Sequence, residues 1–399
     1  MDLDLARVRA SFPALDQGVA YFDGPGGSQV PRAVAQAMAD TMGAGISNRG
    51  TVTEAEQRAD RVVGEARAAI GDLLGARPDG VVFARSMTQA TYDFSRALAK
   101  QWRPGDEVVV TRLDHDANIR PWVTAARSAD AKVRWAGFDR FSGELSVEDI
   151  RAQLSQRTRL VAVTGASNLL GTRPDLPAII EAAHETGAQV YVDGVHLTPH
   201  APILLDELGA DFFACSPYKF FGPHLGVLAA EPALLESLHP DKLLPSSGAV
   251  PERFELGTLP YELLAGTTAA VDFIADLASS APDRRSRVVE SMRVVEEYED
   301  RLFIHLLDAL ERIDGVTVHG SPKQRTPTAL FSVDGHSGQQ VYEHLARLGV
   351  NAPASSFYAL EAARWMGLGD SGAVRAGLAP YTDADDIDRL VSGVSELAR

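Results

Sequence analysis

Short hydrophobic runs alternate with amphipathic helical stretches through the first two thirds of this sequence, and this alternation restricts the possible fold most. The runs lie at 81–83, 106–111, 132–135, 159–163, 190–193, 211–216 and 226–229. Strands that alternate with helices are typical of a mostly parallel sheet with helices on both faces. We therefore predict an α/β fold built on a mostly parallel, seven-stranded sheet.

After Tyr261 the pattern changes, and long amphipathic helices come before a few strands. Helices are predicted at 262–277, 285–312, 339–348 and 383–397, with strands at 316–318, 328–333 and 374–378. This order indicates a small α+β domain, and 399 residues are enough for two domains. We predict a large α/β domain at 16–260 and a small domain formed by 1–15 and 261–399.

Polar residues follow five of the predicted strands at or just beyond their ends. They are Ser86, His115, Asn168, Asp193 and Ser216. Ligands of such sheets bind beyond the carboxyl ends of the strands. Any one of these residues, His115 included, could belong to a solvated surface loop. Five of them on one edge predict a binding site there.

Aromatic residues and glycine crowd Lys219, which lies in a turn beyond the strand that ends at Ser216. Apolar surroundings disfavour the ammonium form, so such a lysine is a nucleophilic amine near neutral pH. A lone lysine in a loop more often has its head in water, but Asp193 ends another strand of the same sheet. An imine-forming lysine and a carboxylate on the pyridine nitrogen are what pyridoxal phosphate requires. We therefore predict pyridoxal 5'-phosphate as the cofactor.

The strand at 81–83 runs into a polar turn and a helix, which makes an anion site from free N–H groups and the helix dipole. Many α/β proteins contain such a turn. Neither GxGxxG nor GxxxxGK[ST] occurs there, which argues against a nucleotide-binding protein. The glycines of 21–28 permit either a plain turn or a close approach of backbone to a ligand.

The formal net charge of −16 argues against nucleic acid or an anionic membrane as a partner. No apolar run of about 18 residues indicates a membrane span, and the N-terminus has no signal-like core. Cys215 is the one cysteine, so neither an intrachain disulfide nor a cysteine metal cluster is expected. We predict a cytoplasmic protein without a metal.

In order and spacing, these motifs resemble the class V aminotransferases of pyridoxal phosphate fold type I, and within them the cysteine desulfurase and selenocysteine lyase branch. The resemblance covers nearly the whole chain. Its segments are 21–23, 85–89, 114–122, 167–171, 192–196, 216–219, 254–258 and 374–378. Two positions depart from the usual pattern: His196 stands where glutamine is usual, and Tyr218 where histidine is common.

The resemblance implies a role for each matching residue. Lys219, His115 and Asp193 are the catalytic set: Lys219 forms the Schiff base and moves the α-proton, His115 stacks on the ring, and Asp193 protonates the pyridine nitrogen. Asn168 and His196 address the ring oxygen, and Arg375 with Asn48 binds the substrate. The phosphate is assigned to Ser86, Met87, Thr88, Ser216, Tyr218 and, from the partner subunit, Thr258. The last assignment implies a homodimer with shared active sites.

One departure bears on the reaction. Desulfurases carry a mobile cysteine in the loop before the arginine strand, and residues 349–358 contain none. We expect Cys215 to be a buried packing residue. The prediction is a cysteine desulfurase-like enzyme acting on a small amino acid, with β-elimination by a C–S or C–Se lyase preferred. An aminotransferase or an amino-acid epimerase remains the alternative. A non-catalytic cofactor-binding protein is less expected, because Arg375 would then have no role.

Overall fold

The computed structural model describes residues 3–398 of the chain. Its strands are β1 (Ala20–Tyr21), β2 (Val81–Ala84), β3 (Glu107–Thr111), β4 (Lys132–Ala136), β5 (Thr158–Thr164), β6 (Gln189–Asp193), β7 (Phe212–Cys215), β8 (Gly226–Ala230), β9 (Val316–His319), β10 (Thr328–Val333), β11 (Val350–Asn351), β12 (Ala354–Ser355) and β13 (Ala373–Gly377). The helices are α1 (Leu5–Ala10), α2 (Arg32–Gly43), α3 (Glu54–Leu74), α4 (Met87–Ala99), α5 (Arg120–Ser128), α6 (Val147–Arg151), α7 (Leu176–His184), α8 (Leu205–Leu208), α9 (Pro232–Glu236), α10 (Tyr261–Ala275), α11 (Arg284–Glu311), α12 (Gly338–Arg347), α13 (Leu360–Trp365) and α14 (Ala384–Leu397).

Seven strands form the central sheet, in the order β2-β8-β7-β6-β5-β3-β4. Only β8 runs antiparallel to its neighbours, and the other pairings are parallel. The predicted mostly parallel, seven-stranded sheet is therefore confirmed. Since β2 and β7 both pair antiparallel with β8, six strands deliver their carboxyl ends to the same edge.

The central sheet is buried on both faces because successive side chains of a strand point to opposite sides. In β6, Val190 and Val192 pack into one hydrophobic core, whereas Tyr191 between them packs into the other. Such strands read as continuous apolar runs, as expected for a parallel sheet covered by helices.

A second sheet lies in the C-terminal part, with antiparallel order β12-β13-β10-β9. The N-terminal strand β1 does not join the central sheet; it pairs in parallel with β11. Ala20 and Phe22 pack with this C-terminal core, which explains the pairing. Residues 20–22 were predicted to belong to the large domain, and the structure places them with the C-terminal elements.

The helix α10 lies beyond the predicted boundary at 260, yet it packs on α2 and α3 of the N-terminal part. The chain thus crosses between its two parts more than once. The division into 16–260 and 1–15 with 261–399 remains a proposal. Within residues 3–398, no helix is both long and apolar enough to cross a membrane.

Candidate active site

A cavity of about 690 Å³ lies at the edge where the parallel strands of the central sheet end. All five of the polar residues predicted at strand ends line it: Ser86, His115, Asn168, Asp193 and Ser216. The C-terminal part closes the other side of the cavity with Ser355, Phe357, Tyr358 and Arg375. The topology therefore joins residues far apart in sequence into one site.

Lys219 lies in a single helical turn directly after β7, and its side chain is only 9% exposed. Its Nζ donates a hydrogen bond to the carbonyl oxygen of Pro25 and lies 4.7 Å from the centre of the Tyr218 ring. Burial, with the nearby Arg375 guanidinium, lowers the pKa of Lys219 to about 7, against the opposing pull of nearby carboxylates. A substantial fraction of the amine is therefore neutral at physiological pH.

Asp193 ends β6, the strand next to β7, and its Oδ1 accepts a hydrogen bond from the N–H of Val195 at 3.0 Å. Burial raises the pKa of Asp193 to about 6, although this hydrogen bond and Lys219 favour the carboxylate. A buried carboxyl poised near neutrality can share a proton with a basic nitrogen, which fits a pyridine partner.

His115 follows β3, and its Nδ1 accepts the N–H of Ala117 at 3.0 Å. Burial, together with Lys219 and Arg375, lowers the pKa of His115 to about 4, so the imidazole is neutral. A neutral ring suits stacking on a flat heterocycle that already carries charge.

Asp114, beside His115, was not singled out from the sequence. It is fully buried, and its carboxyl accepts hydrogen bonds from Asn118 Nδ2 at 2.7 Å and from the Thr111 hydroxyl. Burial raises the pKa of Asp114 to about 8, with the charge of Asp193 adding to it. The indole of Trp122 in turn donates to Asn118 Oδ1 at 2.9 Å, so a buried network braces the turn that carries His115.

The predicted phosphate turn is the N-terminus of α4. Ser86 is its N-cap, with Oγ accepting the N–H of Gln89 at 3.1 Å, and Ser86, Met87 and Thr88 all line the cavity. The first N–H groups of a helix have no intrahelical partner and attract anions. Gly226 packs against this turn so closely that a Cβ there would lie 2.2 Å from the carbonyl carbon of Ser86.

Four buried polar atoms of the cavity-lining residues have no hydrogen-bond partner. Asp116 Oδ1 still forms an ion pair with Arg120 at 2.8 Å, whereas Asn168 Oδ1, His196 Nδ1 and Arg375 Nε have no such partner. His196 Nε2 is held between the hydroxyls of Thr328 and Thr326, at 2.9 and 3.0 Å. Leaving a buried polar group unpaired is costly, so these atoms indicate a polar ligand. Together with Lys219, Asp193 and the N-terminus of α4, they fit pyridoxal phosphate.

Arg375, on β13, is 1% exposed, and its Nη1 donates to the carbonyl oxygen of Asn168 at 2.8 Å. Burial lowers the pKa of Arg375 to about 9, and the charge of Asp23 opposes this. The ring of Phe357 covers the guanidinium, with 3.7 Å between the guanidinium carbon and the ring centre. Sequence reasoning missed both Asp23 and Phe357, since neither carries a motif of its own.

Two of the predicted residues do not reach the cavity within one chain. Asn48 and Thr258 lie in exposed loops, and neither lines it. An ion pair of 3.0 Å between Arg49 and Glu252 connects these two loops.

Tyr218 and Ser216 do line the cavity, and the Tyr218 ring stacks on His224 with 4.8 Å between centroids.

Cys215 ends β7 and is completely buried in the hydrophobic core, which confirms its expected burial. Burial, with the nearby Asp193, raises the pKa of its thiol far above the usual range. A buried thiol that does not ionise is a poor nucleophile.

The model of the family "Aminotransferase class-V" matches residues 20–390 of this chain. The chain belongs to the class V aminotransferase family. The family match and the relatives described next make it a pyridoxal-phosphate-dependent enzyme of fold type I, similar to cysteine desulfurases. The predicted family, fold, cofactor and enzyme class are thereby confirmed.

The similar proteins include an aminotransferase-like protein and cysteine desulfurases. The chain is 31% identical to the "Aminotransferase-like protein FGM3" of Gibberella zeae, over 97% of this chain and 96% of that protein. It is 29% identical to a cysteine desulfurase of Pectobacterium atrosepticum, over 100% and 99% of the two chains. The crystal structure of the cysteine desulfurase CsdA from Escherichia coli matches with a TM-score of 0.87 at 27% identity, covering 99% of this chain and 98% of that one.

Proposed function

We propose that this class V aminotransferase family member is a lyase, which removes a sulfur or selenium substituent from Cβ of a small amino acid by β-elimination and releases it directly to solvent. The observation that carries the proposal is the buried Lys219 amine, in one cavity with Asp193 and Arg375. No cysteine occurs in residues 349–358, which supports direct release rather than sulfur transfer to the protein.

When bound, pyridoxal phosphate draws electron density away from the α-carbon of an amino acid and so weakens the bonds to it. Lys219 would hold the cofactor covalently, Asp193 its pyridine nitrogen and His115 the face of its ring. Asn168 and His196 would donate or accept at the ring oxygen, since each has a buried, unpaired polar atom there. Ser86, Met87, Thr88, Ser216 and Tyr218 would surround the phosphate.

Arg375 would orient the substrate, because a guanidinium pairs with a carboxylate through two parallel hydrogen bonds. Once the amino group of the substrate has taken the place of Lys219, the freed, neutral Lys219 amine would accept the α-proton, and the electron pair of that C–H bond would form a Cα–Cβ double bond. The Cβ–S bond breaks, and sulfur leaves with its electron pair. Water completes the conversion of the unsaturated product to a keto acid and ammonium.

The residues near the cavity offer no good sulfur acceptor. Ser355 and Tyr358 line it with hydroxyl groups, which are far weaker nucleophiles than thiolates at neutral pH. Cys215 is buried in the core beneath the strand end. Free sulfide, selenide or thiol is therefore the expected product.

The test mixes cofactor-loaded protein with cysteine, S-substituted cysteines and alanine, and follows the absorbance band and the products. Keto acid, ammonium and a free thiol or sulfide in equal amounts would support the lyase. A persulfide trapped on Cys215 and lost with activity in Cys215→Ala would overturn direct release. No turnover of cysteine or of any S-substituted cysteine would overturn the lyase proposal.

Amino transfer is the second candidate, and the relative named "Aminotransferase-like protein FGM3" favours it. Lys219 and Arg375 would serve that reaction equally well, as they would an epimerase. The same assay distinguishes these reactions. Transfer of nitrogen to an added keto acid without a leaving group identifies an aminotransferase, and loss of optical activity identifies an epimerase.

We further propose a homodimer in which Thr258 and Asn48 complete the partner's site. Both residues lie in exposed loops, and the Arg49–Glu252 ion pair connects these loops. Large apolar side chains are exposed close by in the sequence: Val52, four residues after Asn48, is 85% exposed, and Leu244, eight residues before Glu252, is 99% exposed. Exposed apolar side chains flanked by polar residues are typical of a protein interface.

The dimer is tested by light scattering of Leu244→Glu beside Phe141→Glu, since Phe141 is also 75% exposed but lies elsewhere. We expect only the first change to shift the protein towards monomer and weaken cofactor binding. A wild-type monomer that binds the cofactor tightly would contradict the proposal.

We also propose a cytoplasmic location, because the single cysteine is a free thiol and suits a reducing compartment.

A further inference from the structure

Residues 355–359, between β12 and α13, form a cover over the cavity, and we call them the cover segment. Phe357 and Tyr358 line the cavity and have φ angles of 51° and 59°. Two consecutive non-glycine residues in this left-handed region are strained. Such a conformation persists only where surrounding contacts impose it.

The backbone of the cover segment is tied to the loops of the central sheet. The carbonyl oxygen of Phe357 accepts a hydrogen bond from Asn168 Nδ2 at 2.9 Å. The carbonyl oxygen of Tyr358 accepts the N–H of Asp116 at 2.7 Å. Since Asn168 follows β5 and Asp116 follows β3, these bonds join the C-terminal part to the strand ends at the cavity.

Glu361, in the first turn of α13, makes the main ionic connection behind the cover segment, and its side chain is 15% exposed. Its Oε2 pairs with Arg112 Nη1 at 3.1 Å, and its Oε1 with Arg120 Nη2. Arg120 also pairs with Asp116 at 2.8 Å, the residue whose N–H binds Tyr358. The ion cluster and the cover segment therefore share one attachment point.

The far end of α13 is anchored as well. Arg112 lies between two indole rings, 5.1 Å from the centre of Trp135 and 4.9 Å from that of Trp365. Trp365 Nε1 donates to the carbonyl oxygen of Phe138 at 2.8 Å. Partly buried, shared ion pairs of this kind hold position better than isolated surface pairs.

We propose that Glu361 is a positioning residue that keeps the cover segment closed, so that Phe357 and Tyr358 form a fixed wall that restricts substrates to amino acids with small β-substituents. The restriction follows because the Phe357 ring covers the guanidinium of Arg375, which would bind the substrate carboxylate, so the cover segment borders the place of the substrate. The substrate half of this inference rests on the proposed function, whereas the closure of the segment does not.

Closure is tested on the apoprotein by hydrogen exchange at the amides of Asp116 and Ala359. The amide of Asp116 is bonded to Tyr358, and that of Ala359 is bonded to Ser356 within the segment. Glu361→Gln keeps the shape and removes the charge, and we expect exchange there to become about 10-fold faster. Asp370→Asn is the matched control. Asp370 pairs at 2.6 Å with Arg364, which lies on the same helix as Glu361, but this ion pair is exposed to solvent.

Selectivity is tested on the loaded enzyme with a three-carbon substrate and one bearing a bulky aromatic β-substituent. We expect Glu361→Gln to raise kcat/KM for the bulky substrate relative to the small one at least about 5-fold, mainly through KM, with no change in Asp370→Asn. Glu361→Asp should restore part of the wild-type preference.

Each outcome decides one part of the inference. Unchanged exchange in Glu361→Gln overturns the positioning role, whatever the activity. Faster exchange with unchanged selectivity overturns the wall as the determinant of substrate size. If neither substrate reacts with wild type, the proposed function fails, and the exchange result still decides the role of Glu361.

Discussion

The floor of the cavity and its cover are held by different kinds of interaction. The floor consists of Ser86, His115, Asp193 and Lys219, each placed by a strand end of the central sheet. The cover segment contains two strained residues and is placed by hydrogen bonds from distant loops, one from the Asn168 side chain and one from the Asp116 N–H. The difference suggests that the cofactor chemistry depends on the rigid sheet, and that substrate selection depends on a few contacts that substitutions can change singly.

The largest effect is expected on the floor, from Lys219→Ala. This change removes both the covalent attachment and the proposed base, and a positioned base alone contributes about 10²–10⁴-fold in rate. We expect activity to fall at least about 10³-fold and borohydride to leave no cofactor on the protein. Lys132→Ala, at an exposed position on β4, is the control. A reduced adduct on another lysine would show that the floor is misassigned.

The next effect belongs to Arg375, which comes from the C-terminal sheet but lies in the same cavity. Hydrogen bonds to charged groups contribute about 1.5–3 kcal/mol, so Arg375→Gln should raise KM for an amino acid about 10- to 100-fold. The corresponding amine without a carboxylate should react equally poorly with both proteins. Arg325→Gln controls for the loss of a partly buried arginine that does not line the cavity. Equal loss with both arginine variants would contradict carboxylate recognition.

A smaller effect concerns the protonation of Asp114, whose hydrogen-bond network braces the turn that carries His115. The pKa of Asp114 is raised from 3.8 to about 8, so the folded state keeps a proton that the unfolded state releases. The contribution of Asp114 to stability should therefore fall as pH rises from about 4 to 8, and this contribution should be absent in Asp114→Asn. We expect the Tm difference, variant minus wild type, to rise by about 3 °C between pH 5 and pH 8 in the apoprotein. Parallel Tm curves would show that Asp114 ionises normally.

The smallest effect is expected from Cys215→Ala. The thiol is buried in the core beneath the floor, so its loss should lower stability by about 1 kcal/mol and leave kcat/KM unchanged. Activity and thermal unfolding, measured on the same preparation, check this pair of outcomes. A loss of activity without a loss of stability would place the thiol in the reaction.

The floor could be predicted from the sequence because each of its residues is attached to a strong local pattern. An apolar run ends, a polar residue follows, and the parallel topology assembles those ends at one edge. The predicted elements fall close to the observed ones, as in α11 and β10. The roles of the site residues remain predictions until the substitutions are made.

The cover could not be predicted because nothing local encodes it. The strands β11 and β12 have two residues each, too few for any periodicity. The positive φ angles of Phe357 and Tyr358 are held by contacts with residues far away in the sequence. Asn168, which donates to Phe357, lies 189 positions earlier. The pairing of β1 with β11 was missed for the same reason, since only the folded C-terminal core accounts for it.

That pairing has a consequence for the order in which the protein is completed during synthesis. The strand partner of Ala20 is Val350, and the ring of Phe12 packs 4.8 Å from that of Tyr381. At about 5–20 residues per second, the ribosome needs roughly 20 to 75 s to produce the second member of each pair. Until Val350 has been made, Ala20 has no strand partner, and Arg375 follows 25 residues later. The nascent chain can therefore form the floor of the cavity well before Arg375, the proposed substrate-binding residue, has been made.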